Sequence, residues 1–339
     1  MNHISTDIYK NNLDHLLKMK ILYINESPEV YKRYKKGLIP SHWFYGAVEM
    51  EKDGHEVIWC KEGDSILHDL SLYCKHKPDI IFLPNLNMKN HLLLLVLVWL
   101  RIIRIPLYAY LHHAPLRNEG LKSYLYNMLL PVFQHLFFLS EKSMQETIDG
   151  GFIKKEKCSV PGWGADMDFY KKIKTSDNGY FVSTGKENRD FDTLIEAFRR
   201  TGAPLKIMTA KAHASQNYEN LKEKCKNIPN IEVILTENSS SVYPAMLEAM
   251  ANAKALVCPL LNDCLTYCVG LSTIADAEGL HKPLLITQNP YHTSQRMTSF
   301  CVVKTVEDWV CAINKIQPYH DNGYSMQKAY QNMKNHMKL

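Results

Sequence analysis

The sequence has no Cys-x-x-Cys pair and no cysteine–histidine arrangement at metal-ligand spacing, although it carries nine cysteines in 339 residues. That leaves a disulfide framework and a structural zinc site without support, and reads as reduced thiols in a cytosolic protein. No Gly-x-Gly-x-x-Gly follows an expected strand, which disfavours a nicotinamide-dependent dehydrogenase. The excess of positive charge is only +5, too small to call for nucleic acid as a partner. The first 18 residues lack the apolar core of a signal peptide and read as an N-terminal extension. The apolar run at residues 92–100 stops at Arg101, about half of a bilayer span. It reads either as a buried helix or as one resting on the inner face of a membrane, with Arg101 and Arg104 near headgroups. The cluster Lys32, Arg33, Lys35 and Lys36 suits such peripheral contact, and equally suits a solvated face.

What is present is a soluble composition, 46% apolar and 22% charged, on a chain long enough for two domains. Short β-rich runs, "ILYIN" (21–25), "EVIWC" (56–60), "DIIFLP" (79–84), "PLYAYL" (106–111), "HLFFLS" (135–140) and "CSVPG" (158–162), alternate with helical stretches near 42–53, 64–76, 89–103, 118–133 and 141–149. After the polar segment 170–179 the alternation restarts with runs at 180–184, 204–210, 231–235, 254–260, 283–287 and 301–305. This pattern predicts α/β architecture: two doubly wound, Rossmann-like parallel-sheet domains, residues 19–169 and 170–317, and a closing helix within 318–339. Ligands of such sheets bind beyond the carboxyl ends of the strands.

Two stretches there suit phosphate. In "STGKENRDFDTLIEAF" a strand meets Gly185, and then a helix whose Phe191, Leu194, Ile195 and Phe198 share one face. Lys186 and Arg189 stand at the mouth of that helix, where the dipole disfavours cations unless an anion joins them; a diphosphate would, and a solvated pair is the plain alternative. In "GLSTIADAEGLHKPLLIT" a glycine opens a second helix, so that Leu271, Ser272 and Thr273 offer backbone N–H groups. Asp276 either closes a capping box with Thr273 or accepts hydrogen bonds from ribose hydroxyls.

Together these stretches resemble the donor-binding half of family 4 glycosyltransferases, which have the GT-B architecture. Aligned on "LIEA", Arg189 takes the place of the family's diphosphate-binding lysine and Lys186 is nearest to its arginine. Gly270, Leu271, Asp276, Ala277, Lys282 and Pro283 match the second segment, with His281 where glycine is usual. "PSHWFYGAVEMEKDGHEV" (40–57) and "GWGADMDFY" (162–170) extend the likeness across most of the chain. The resemblance implies a nucleotide-sugar donor gripped by the second domain, an acceptor held by the first, retention of anomeric configuration, and no metal or other cofactor. Two departures stand out: the ribose-contacting glutamate is Asp276, and the family's other glutamate falls at Cys268, with Asp263 the nearest acid.

The resemblance also places a histidine at the end of the strand "LYAYL" against the transferred sugar, which makes His113 the first candidate and His112 the second. The loop carrying Tyr267, Cys268 and Gly270 would face the donor sugar, and backbone near Thr236 the base. Residues 25–43 read as a long loop in which Gly37 approaches the diphosphate or acceptor, or merely turns; its cations suit a lipid-linked phosphate. The expected function is transfer of a sugar to a glycan or lipid-linked acceptor, as in cell-envelope polysaccharide synthesis. The alternatives are a nucleotide-sugar-binding module without turnover, and a sugar-nucleotide epimerase, for which residues 261–269 are poor in acids.

Overall fold

The computed structural model describes residues 18–115, 120–237, 240–262 and 265–339. All but Lys18 of the expected extension at residues 1–18, part of the stretch 118–133 and Asp263 lie outside them. Six strands, β1 (Lys20–Asn25), β2 (Glu56–Lys61), β3 (Ile80–Leu83), β4 (Leu107–Leu111), β5 (His135–Phe138) and β6 (Cys158–Ser159), form one sheet in the order β2-β1-β3-β4-β5-β6. A second sheet takes β7 (Phe181–Thr184), β8 (Leu205–Ala210), β11 (Ile231–Thr236), β12 (Ala255–Cys258), β13 (Leu284–Thr287) and β14 (Cys301–Val303) in the order β11-β8-β7-β12-β13-β14. Every pairing within the two sheets is parallel. Helices therefore cover both faces, and all residues of β3, β4, β5, β7, β12 and β13 are buried.

The helix Phe191–Thr201 shows how local sequence makes these elements. Asp190 caps it by accepting from the Thr193 N–H at 3.1 Å, Gly202 ends it in the left-handed region, and Phe191, Leu194, Ile195 and Phe198 are buried. Elsewhere local chemistry overrules the expected bounds. The expected loop 25–43 contains a helix, Pro28–Lys35, with proline in its first turn. No residue of that helix is fully buried, but Val30, Tyr31 and Tyr34 pack against the core, and Tyr31 holds it to β2 by stacking on Trp59 at 4.0 Å. The expected helix 42–53 breaks into a 3₁₀ turn, Ser41–Phe44, and a helix, Ala47–Lys52, because Tyr45 and Gly46 both have positive φ. A small hairpin, β9 (Ala212–His213) with β10 (Gln216–Asn217), was not expected.

The run at 92–100 gives a helix, Leu92–Trp99, shorter than the expected 89–103. It buries Leu94 and Leu95, as the buried-helix reading expects, while Trp99 at its end and Leu100 and Ile102 beyond it are exposed. No helix of the described residues is long and apolar enough to cross a membrane. The late helix Met326–Met337 returns to the first sheet: Tyr110 Oη lies 3.2 Å from Met333 Sδ, and the Tyr330 hydroxyl donates to Asp53 at 2.9 Å.

His91, at the start of the helix Leu92–Trp99, is 1% exposed, with Nδ1 2.7 Å from Asp69 and Nε2 3.4 Å from Glu62. Burial alone would lower its pKa, but the two carboxylates outweigh it and raise the imidazolium to about 9. A raised folded-state pKa means stability fully present below the ordinary value near 6.5 and lost as pH climbs through about 9. The melting temperature is expected to decline across that window. In His91→Gln the decline should flatten; an unchanged slope in differential scanning fluorimetry would reject the assignment.

Candidate functional site

Two hollows lie side by side where the sheets present their carboxyl ends. The larger, about 310 Å³, is walled on one side by Asn25 at the end of β1, Glu26 just after it, Asn85 after β3 and His112 after β4; Tyr267–Ser272 and Glu187 form the other side. The second, about 290 Å³, has Gly185, Lys186, Thr236, Glu237 and Tyr243 in its wall. Trp43 belongs to both and packs edge-on against Tyr243, ring centres 4.9 Å apart. The hollows are thus two compartments of one cleft divided by an indole from the first domain.

Arg189 lines neither compartment but a third, smaller hollow of about 190 Å³, with Asp190, Tyr218 and Lys224. The loop that carries it is clamped to the chain after β12, through the Arg189–Leu260 bridge and the Leu261 N–H donating to Asn188 at 3.0 Å. Its guanidinium donates to the carbonyls of Glu187 at 2.6 Å and Thr184 at 3.4 Å, and reaches the Thr273 hydroxyl at 3.4 Å. The side chain is 5% exposed, its Nε has no hydrogen-bond partner, and no carboxylate among the described residues pairs with it. Gly185 makes room for it: φ is +95°, and a Cβ there would lie 2.4 Å from an Arg189 nitrogen. Lys186 faces the second hollow, and burial lowers its ammonium pKa.

The helix Leu271–Leu280 begins after Gly270, whose φ of +92° only glycine adopts easily, and Leu271 and Ser272 open into the larger hollow. Thr273 touches Arg189 instead, so Gly185 and Lys186 line one hollow, Gly270, Leu271 and Ser272 the other, and Arg189 meets them through its contacts with Thr273 and Gly185 rather than by lining either. The capping-box reading of Thr273 with Asp276 fails, because the helix starts two residues before Thr273 and has no side-chain cap. Asp276 lines neither hollow: one carboxylate oxygen accepts from Tyr170 at 2.6 Å and Tyr243 at 2.7 Å. Burial raises its pKa to about 6 despite those bonds. It meets the cleft through Tyr243, which stands where direct ribose contact was expected.

Of the histidine pair, His112 enters the cleft wall while the more exposed His113 lies against Tyr267, ring centres 4.1 Å apart. Burial lowers the His112 imidazole to about 4, so it is neutral, with Nε2 3.2 Å from the Pro84 carbonyl. Tyr267, Cys268 and Gly270 all face the larger hollow. Burial, and then the Glu187 carboxylate, push the Tyr267 hydroxyl pKa upward. Burial also pushes the Cys268 thiol up to about 12, so it stays protonated and supplies no carboxylate-like charge. Thr236 lines the second hollow with its hydroxyl oxygen buried and unbonded. Gly37 is not brought here: it lines a separate hollow with Tyr34, Lys52 and Lys172, because the unforeseen helix Pro28–Lys35 carries the chain away from the cleft.

Sequence reading missed Trp43, Glu26, Glu187 and Tyr243. Glu26 and Glu187 each follow a strand end, the one signal that pointed to them. The arrangement sets Lys186 and the helix mouth at Gly270–Ser272 in neighbouring hollows, with Asn25, Glu26 and Asn85 on the opposite wall, and shows no metal-ligand cluster among the described residues.

No family model matches the sequence, and no curated protein is significantly similar to it. Solved structures are similar along nearly the whole chain. Anabaena HepE in complex with UDP is 12% identical with a TM-score of 0.62, covering 94% of this chain and 100% of that one. The Neisseria meningitidis UDP-GlcNAc 2-epimerase bound to UDP-GlcNAc is 15% identical, TM-score 0.55, covering 94% and 100%. AviGT4, a glycosyltransferase involved in avilamycin A biosynthesis, is 10% identical, TM-score 0.56, covering 94% and 97%. The likeness establishes the architecture: two Rossmann-like domains facing across a cleft, the GT-B fold.

Proposed function

We propose that the protein is a family 4-like glycosyltransferase that takes a sugar from a nucleoside diphosphate donor and passes it to a glycan or lipid-linked acceptor. The observation that carries this reading is the buried guanidinium of Arg189 without a carboxylate partner, between a glycine turn and the mouth of a helix. An unpaired buried cation is unfavourable until an anion reaches it. A diphosphate satisfies it and the N–H groups of Ser272 and Thr273 together, the Leu271 N–H being taken by the Cys268 carbonyl at 3.2 Å. The hollow at Thr236 and Glu237 then receives the base, and the larger one the sugar. That solved structures of this fold hold UDP and UDP-GlcNAc supports the same class of donor.

Breaking the bond from the anomeric carbon to phosphate builds negative charge on the leaving diphosphate. Arg189, Lys186 and the helix amides stabilise it, most strongly when the closed cleft excludes water. Asn25, Glu26 and Asn85 on the first-domain wall suit the hydroxyls of an acceptor. A second reading, the epimerase, gains support because Glu26, Glu187 and His112 converge on one hollow, more acid than residues 261–269 disclose.

One experiment separates these readings. UDP, UDP-glucose and UDP-GlcNAc are each titrated against the protein and followed by thermal shift, and the binders are incubated with and without simple sugars and alkyl glycosides. Transfer predicts UDP release that acceptors accelerate. Conversion of UDP-GlcNAc into its 2-epimer without UDP release would establish the epimerase, and binding without either product an inert module.

A further inference from the structure

We infer that the first domain docks on an anionic lipid bilayer through an apolar stripe that its helix Leu121–Asn127 turns to solvent. Leu121, Tyr124, Leu125 and Met128 stand at i, i+3, i+4 and i+7, the spacing that in a globular domain faces the core. Here all four are exposed, Leu121 to 75%. The inward side of the helix is polar instead: Asn127 is fully buried, and its side-chain amide donates to the Ser123 carbonyl at 2.7 Å. Packing within the domain therefore does not account for the stripe.

A second exposed apolar group lies in the same layer. Trp99, Leu100 and Ile102 close the preceding helix, Leu92–Trp99. Arg101 has a φ of +60°, and the turn it makes leaves Ile102 outside, 67% exposed, while Ile103 enters the core. The crossovers from β3 to β4 and from β4 to β5 run in one direction along the sheet, which puts both stretches on one of its faces. They root in a single buried cluster, through Leu94, Leu95 and Ile103 on one side and Leu129 and Leu130 on the other.

The surrounding charge identifies the occupant. Between Asp79 and Glu141 the sequence has five basic residues, Lys89, Arg101, Arg104, Arg117 and Lys122, against a single acid, Glu119. Of these, Arg101, Arg104 and Lys122 are exposed next to the apolar side chains in sequence. Leucines and an isoleucine enter the acyl boundary, Trp99 and Tyr124 sit at its polar edge, and the cations meet lipid phosphates. A second copy of the chain suits the face less well, because a self-complementary contact would set cations against cations. The docking holds whichever reaction the cleft performs.

The full chain is mixed with vesicles of phosphatidylcholine, alone or with about 30% phosphatidylglycerol, and the bound fraction is read by co-sedimentation. Binding is expected to the anionic vesicles, and to weaken as salt rises. Leu121→Ser with Leu125→Ser should lower vesicle affinity about tenfold or more, and Arg101→Gln with Lys122→Gln about fivefold for each charge. All four positions are exposed, so both variants should melt with the parent. Trp99 is the exposed one of five tryptophans, so brominated lipid should quench emission in the parent and not in Trp99→Phe. That readout covers the case in which a double variant misfolds. No binding to anionic vesicles, or binding that neither double variant weakens, would overturn the assignment. So would a dimer, seen by light scattering, that Leu121→Ser with Leu125→Ser dissociates, since the face would then belong to a second copy.

Discussion

Arg189→Ala is expected to weaken UDP binding by roughly 10- to 150-fold, the equivalent of about 1.5–3 kcal/mol for a charge-assisted hydrogen bond. The estimate applies because the guanidinium is 5% exposed and solvent screening is weak there. Apoprotein stability should change far less. The substitution forfeits bonds to the Glu187 and Thr184 carbonyls and the Thr273 hydroxyl, but it also removes a buried charge that no described carboxylate neutralises. The diagnostic result is therefore a pair: a melting temperature close to the parent's, and loss of the increase that UDP produces in the parent. Arg189→Lys should not restore it, since an ammonium cannot serve two carbonyls, a hydroxyl and a phosphate from one planar fork. UDP affinity equal to the parent's in both variants would remove Arg189 from the site.

Glu278→Ala should be the most destabilising single change in the second domain's interior. Glu278 and Arg296 are 1% and 5% exposed on their side chains and form a two-pronged ion pair, one prong at 2.6 Å from Nε to Oε1. Arg296 also donates to the Trp163 carbonyl at 2.8 Å, and Asn322 donates to Glu278 at 2.9 Å. The pair therefore ties the helix Leu271–Leu280 to both segments that connect the domains. Removing one partner strands the other charge, at about 3–5 kcal/mol, which corresponds to a fall in melting temperature on the order of 10 °C. A double replacement, Glu278→Leu with Arg296→Met, should recover most of that loss because neither charge is left buried. If the single variant melts with the parent, the pair contributes nothing that the surrounding packing does not already supply.

Most of the architecture was legible because parallel strands buried on both faces read as short, uninterrupted apolar runs, as in "DIIFLP" and "HLFFLS". The Arg189 loop was legible for a different reason: cations at a helix mouth violate a local preference, and violations of that kind mark ligand sites. What escaped depended on contacts between residues distant in sequence. Trp43 lies in a stretch that reads as helix but forms a 3₁₀ turn ended by the left-handed Tyr45, and its contact is with Tyr243, 200 positions away. Asp276 looked like a cap or a ribose ligand because Tyr170, more than 100 positions away, could not be seen to occupy it. Gly37 seemed close to phosphate only while the helix Pro28–Lys35 was unsuspected; it is eight residues long, and its apolar face is only Val30, Tyr31 and Tyr34 among charged neighbours.

The return of the helix Met326–Met337 to the first sheet has a consequence for biosynthesis. Its Met333 and Met337 fill the surface beneath Tyr108 and Tyr110, so that surface stays uncovered while the whole second domain is being translated. The N-terminal unit therefore cannot reach its finished state on the ribosome in simple order. It must wait, partly assembled, for a segment made long after its own strands.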